Sequence, residues 1–162
     1  MLGASAEPVS EQMQEYLETI YRLEQTDVVA RTGEIAKHLK VAPPSVTDMI
    51  QKLEKAGLVE YEPYKGVVLT ETGRAIGKRQ LEKHRVMQAF LQQACGMDHA
   101  TAHEAACAME HTLPKPLEEW CARYLAKELG HPFDVTRRVR DQLPGTASGA
   151  AAAAGISARR NA

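Results

Sequence analysis

Helical periodicity dominates this chain and marks it as mainly α: an N-terminal winged helix-turn-helix followed by a second, all-helical domain. Three observations carry that expectation. Apolar residues recur at helical spacing over most of residues 11–130. The β-rich stretch LVEYEPYKGVVLT, residues 58–70, is short and broken by a turn. It follows directly on two short helices joined by a tight turn, which is the order of a winged helix-turn-helix.

Taken in order, Ser10 precedes EQMQEYLETIYRLEQ, where Met13, Tyr16, Leu17, Ile20, Tyr21 and Leu23 form one apolar stripe. Glu11, Glu15 and Glu18 share one side of that helix. TGEIAKHL makes a second helix and KVAP turns the chain. PSVTDMIQKLEKAG is a third helix, opened by Pro44 and closed by Gly57. Two strands then flank a tip at Pro63 to Gly66. A long helix is expected from Thr72 to about Gln93, stopped by Cys95-Gly96. Asp98 caps the next helix, which Pro114 ends, and PLEEWCARYLAKELG forms another. Leu117, Trp120, Cys121, Tyr124 and Leu125 lie on one face of it. A short helix around DVTRRVRDQL closes the ordered chain. The expected domains are therefore residues 8–73 and 74–143, with the Ala-rich residues 144–162 disordered.

Composition narrows the function classes. The 162 residues, 44% of them hydrophobic, suffice for one or two small globular domains. No apolar run reaches the roughly 18 residues of a membrane span, and MLGASAEPVSEQ lacks the pattern of a signal peptide. Cys95, Cys107 and Cys121 form an odd set without CxxC spacing, which points to reduced thiols and a cytoplasmic protein. The net charge of −1 is unevenly spread. Residues 1–30 carry six acids against one Arg, residues 65–85 six bases against two acids, and residues 95–130 six acids against three bases. A basic middle between acidic flanks suits a nucleic-acid-binding module.

Within that middle, Pro44, Ser45, Thr47, Asp48 and Lys52 sit on the early, outward part of the third helix, while Val46, Ile50 and Leu53 face inward. Short polar groups there can reach phosphates or base edges of double-stranded DNA. Lys65 at the strand tip is a phosphate candidate.

HEAACAMEH, residues 103–111, concentrates metal-binding residue types. At 100° per residue, His103, Cys107, Glu110 and His111 fall within about 100° of one another. Imidazole, carboxylate and thiolate together suit Fe²⁺, Mn²⁺, Co²⁺, Ni²⁺ or Zn²⁺. A charged helix face with one buried cysteine explains the same residues, so a ligand from elsewhere has to decide; Glu15, Glu18 and His84 are available.

The motifs EYLETIY at 15–21, PPSVTDMIQKLEKAGLVEYEPYKGVVLT at 43–70, KH at 83–84 and HEAACAMEH at 103–111 occur in an order that resembles the diphtheria-toxin-repressor and manganese-transport-regulator family of metal-dependent repressors. The resemblance covers roughly residues 10–130. It implies a regulator of metal uptake or homeostasis that binds operator DNA as a homodimer, with residues 74–143 as a dimerisation and metal-binding domain. It also implies metal ligands at Glu15 and Glu18, as in the manganese branch, at His84, as in both branches, and at Cys107, Glu110 and His111. His103 matches an accessory ligand of the iron branch, and Gln88 departs from that branch's carboxylate. Cys107 follows the iron branch where the manganese branch has glutamate, so Fe²⁺ is expected over Mn²⁺. Two other readings compete. CAMEH differs by one residue from a metalloprotease signature, and a winged-helix regulator could sense a small molecule or oxidant through Cys107.

Overall fold

The structure, a computed structural model, describes residues 9–62, 64–139 and 142–143. Its elements run α1 (Glu11–Glu24), α2 (Thr32–Leu39), α3 (Pro43–Lys55), β1 (Val59–Glu62), β2 (Gly66–Leu69), α4 (Glu71–Cys95), α5 (His99–Met109) and α6 (Lys115–Leu129). The mainly α expectation holds. Two compact units, residues 1–81 and 82–162, divide the chain. The boundary expected at 73–74 falls in the first turn of α4.

Local chemistry explains each element of the first unit. The Ser10 side chain accepts from the Met13 amide and starts α1. Lys40, in the left-handed region at φ 55°, ends α2 and turns the chain sharply. No side chain caps α3; instead Pro43 and Pro44 occupy its first two positions, where their missing N–H groups leave fewer donors to satisfy. The helix thus begins one residue before Pro44. Val46, Met49, Ile50 and Leu53 join Tyr16, Leu17, Ile20, Leu23 and Ile35 in one core.

β1 and β2 pair antiparallel with Val59 opposite Leu69 and Glu62 opposite Gly66. The Val67 amide donates to the Ala30 carbonyl, which ties this wing to the loop before α2. Gly66, at φ +72°, makes that approach possible, since a Cβ there would meet the Ala30 oxygen at 2.8 Å. Farther on, Gly77 lets α4 lie against α1: a Cβ would come within 2.5 Å of the Leu17 carbonyl oxygen. Gln80 donates to Gln14 across the same contact. These approaches are why the opening turns of α4 belong to the first unit.

The second unit has its own core, built from Val86, Met87, Ala89 and Leu91 of α4, Ala102 and Ala106 of α5, and Cys121 and Leu125 of α6, with Leu113, Val139 and Leu143. Small, fully buried Ala102 and Ala106 allow close packing of α5. The Asp98 carboxylate caps α5 by accepting from the Ala100 and Thr101 amides.

Three expectations change. The α4 helix extends to Cys95. The α5 helix ends at Met109, with Glu110 as its C-cap, so proline at 114 does not set its end. The chain instead turns through 110–112, where the Thr112 hydroxyl and amide both donate to the Met109 carbonyl, and Leu113 enters the core. Of the short helix expected around 134–143, the described residues show turns at 135–137 and a 3-10 conformation at Val139, whose carbonyl accepts from the Gln142 and Leu143 amides. Asp134 accepts from the amide and hydroxyl of Thr136, and that local bond competes with helix formation. The Ala-rich tail expected at 144–162 lies outside the described residues.

Candidate functional site

The helix-turn-helix is formed by α2 and α3. Pro44, Ser45, Thr47, Asp48 and Lys52 are all exposed on α3, opposite its buried face. Thr47 partly satisfies itself, donating to the Pro43 carbonyl at 3.3 Å. On the wing, Lys65 is exposed but paired with Glu62 at 2.6 Å. That carboxylate raises the Lys65 pKa by accepting its hydrogen bond and by its charge. Glu62, three residues before Lys65, was visible in the sequence as its competitor and was missed.

On α1, Glu15 is exposed and Glu18 is buried. The Arg22 guanidinium donates to Glu18 from both Nε and Nη2, at 2.8 and 2.5 Å. This i,i+4 partner is a second signal the sequence offered.

In the second unit, His84 of α4 meets three of the four residues singled out near α5. Its Nδ1 lies 2.6 Å from Glu110 Oε2 and its Nε2 lies 2.9 Å from His103 Nδ1. Cys107 Sγ stands 3.7 Å from His84 Nδ1 and 3.9 Å from His103 Nε2. His84 and Glu110 are only 1% and 2% exposed, whereas Cys107 is exposed. His111 follows the end of α5 and stands beside Glu110, Nε2 to Oε1 3.6 Å.

One set of neutral tautomers satisfies these contacts: Cys107 S–H donates to His103 Nε2, His103 Nδ1–H to His84 Nε2, and His84 Nδ1–H to the Glu110 carboxylate. Each donor atom in that chain can serve as a metal ligand once its proton leaves. Donor atoms bound to one tetrahedral ion stand roughly 3–4 Å apart. The ligand atoms of His84, His103 and Cys107 lie within 4.8 Å of one another. The donor set therefore fits a divalent transition ion with small side-chain adjustments. A solvated charged face would not bury Glu110 and His84, because desolvation of a carboxylate has to be offset. Neither Cys95, which is exposed, nor Cys121, which is buried, joins the cluster. Burial pushes the Cys121 thiol above its usual pKa and makes it a poor nucleophile.

Comparison with known proteins places the chain in a family. Residues 8–67 match the iron-dependent repressor N-terminal DNA-binding domain, and residues 70–133 match the iron-dependent repressor metal-binding and dimerisation domain. An HTH-type transcriptional regulator of Methanocaldococcus jannaschii is 38% identical over 120 residues, covering 74% of this chain and 96% of that protein. The HTH-type transcriptional regulator MntR of Listeria welshimeri is 42% identical over 101 residues, 62% of this chain and 70% of MntR. Among solved structures, the manganese regulator SloR aligns with a TM-score of 0.62 and 30% identity over 74% of this chain. IdeR of T. acidophilum aligns with a TM-score of 0.66 and 25% identity over 78% of this chain. The chain spans only 54% of the SloR chain and 60% of the IdeR chain. A winged helix-turn-helix, a buried His–Glu pair with cysteine beside it, and matches to both domains lead to one assignment: the chain belongs to the iron-dependent repressor family of metal-dependent transcriptional regulators, the diphtheria-toxin-repressor and manganese-transport-regulator group.

Proposed function

We propose that this regulator binds operator DNA as a homodimer when a divalent transition metal occupies His84, His103, Cys107 and Glu110, and so represses genes of metal uptake or homeostasis. The observation that carries the reading is the meeting of those four side chains in a unit that follows a winged helix-turn-helix. A thiol-based oxidant sensor would use Cys107 but would need neither the buried Glu110 nor the paired imidazoles. Ser45, Thr47, Asp48 and Lys52, with Pro44 shaping the helix start, are the proposed DNA-contacting set on α3. Glu15, Glu18 and His111 are proposed as further ligands on the sequence resemblance alone. DNA binding would place the protein in the cytoplasm; among the described residues, no helix is long and apolar enough to cross a membrane.

The bound ion supplies positive charge that compensates the Glu110 carboxylate and a Cys107 thiolate. Loading requires Cys107 to lose its proton and His84 to redirect a ring nitrogen now bonded to Glu110, so binding releases protons and strengthens as pH rises. Cys107 is the softest donor and favours Fe²⁺ over Mn²⁺. This preference rests on the thiolate alone, because the structural neighbour SloR is a manganese regulator.

The test is operator affinity titrated with Fe²⁺ and with Mn²⁺ under anaerobic conditions. Both metals are expected to stimulate binding, Fe²⁺ at the lower concentration. Cys107→Ala, at an exposed position, should fold normally and reverse that order. Operator binding indifferent to both metals in the unsubstituted protein would overturn the reading.

A further inference from the structure

The tip of the wing holds a residue that its backbone disfavours. The Lys65 amide donates to the Glu62 carbonyl at 3.2 Å at the tip of the wing. Tyr64, just before Lys65, stands at φ 69°. A positive φ in a turn favours glycine or asparagine. A bulky aromatic residue there is strained. Among the described residues no core packing compensates, since the Tyr64 side chain is 95% exposed.

The neighbouring charges narrow what the tyrosine can serve. Lys65 is held by Glu62, and Glu60 on β1 is exposed, so the wing offers little net positive charge of its own. The most exposed of the large hydrophobic side chains described is Tyr64. The wing follows the helix-turn-helix inside the segment that matches a DNA-binding domain, residues 8–67. A wing in that position lies beside the DNA when the second helix of the motif enters the major groove. A tyrosine ring can pack on deoxyribose while its hydroxyl donates to a phosphate, a contact that positions the protein without counterion release.

We propose that Tyr64 is the principal wing contact to double-stranded DNA, retained in a strained turn for that purpose. The inference rests on the DNA-binding reading above. Its test uses the full chain with saturating Mn²⁺ and a duplex that the unsubstituted protein itself selects from a random-sequence pool. Tyr64→Gly suits the turn's backbone and should leave thermal unfolding unchanged or raise its midpoint. It should nonetheless weaken binding to the selected duplex about tenfold, as truncation of a contact aromatic does. The dependence of affinity on salt should keep its slope, because no charge is lost. Equal or tighter binding by Tyr64→Gly would overturn the inference, and so would a loss of binding accompanied by a lower unfolding midpoint. Failure of the unsubstituted protein to select any duplex would instead overturn the functional reading beneath it.

Discussion

Lys65 shows how one neighbour changes the meaning of a residue. The sequence marks it as a phosphate contact at the tip of the wing, and the structure keeps it exposed. Glu62 nevertheless holds its ammonium at 2.6 Å, so a phosphate has to displace a carboxylate. An exposed pair of this kind contributes little to stability, so if Lys65 contacts DNA the pair acts through the field it presents. Lys65→Ala should weaken binding across sequences and flatten the salt dependence by up to about one unit of slope. Glu62→Gln should do the reverse, strengthening binding and steepening the slope, because it releases the lysine and removes a negative charge. Affinities at several salt concentrations separate the two variants. If Glu62→Gln leaves the slope unchanged, Lys65 makes no contact with phosphate.

Elements were legible where one local signal sufficed. Ser10 and Asp98 announced the starts of α1 and α5, and helical spacing on α3 placed its buried face correctly, with Met49 as the addition. Elements were misread where distant residues decide. Nothing near Pro114 reveals that α5 stops at Met109 so that Glu110 can reach His84, a residue 26 positions away in the chain. The α6 face was read as one apolar stripe, yet Cys121 and Leu125 are buried while Leu117 and Trp120 stay 47% and 65% exposed. The Asp98 cap gives α5 a pH dependence that can be checked. Hydrogen bonds from the Thr101 hydroxyl and amide, and from the Ala100 amide, hold its carboxyl below the ordinary range. A lowered folded-state pKa contributes stability that is present above the unfolded value and lost as pH falls through the folded one. The α5 helix should therefore fray in acid, below about pH 4. Asp98→Ala should lower the thermal midpoint at neutral pH and make helicity less sensitive to acid, as circular dichroism would show. An acid titration identical in the two proteins would remove Asp98 from this role.

The exposed Leu117 and Trp120 matter most when the molecule is taken entire. Apolar side chains of that size on one helix, in a domain matched to a dimerisation domain, are expected to be covered by a second copy. Sedimentation at micromolar concentration should show a dimer, and Trp120→Ala should shift it toward monomer; a monomeric unsubstituted protein would contradict this. Dimerisation gives two recognition helices, which must meet half-sites about 34 Å apart. Metal can favour operator binding only through its differential affinity for the arrangement that fits, commonly about 1–3 kcal/mol per coupled site. Reciprocity then fixes a number without further assumption: operator DNA has to raise metal affinity by the same factor by which metal raises operator affinity. Measuring both affinities closes that cycle. His111 supplies the sharper test, because it stands beside Glu110, with Nε2 3.6 Å from Oε1. If it is a ligand, His111→Ala should abolish metal stimulation while weak, salt-sensitive binding to nonspecific DNA persists. Full stimulation in that variant would leave His84, His103, Cys107 and Glu110 as the metal-holding set, and would assign His111 to orienting the Glu110 carboxylate.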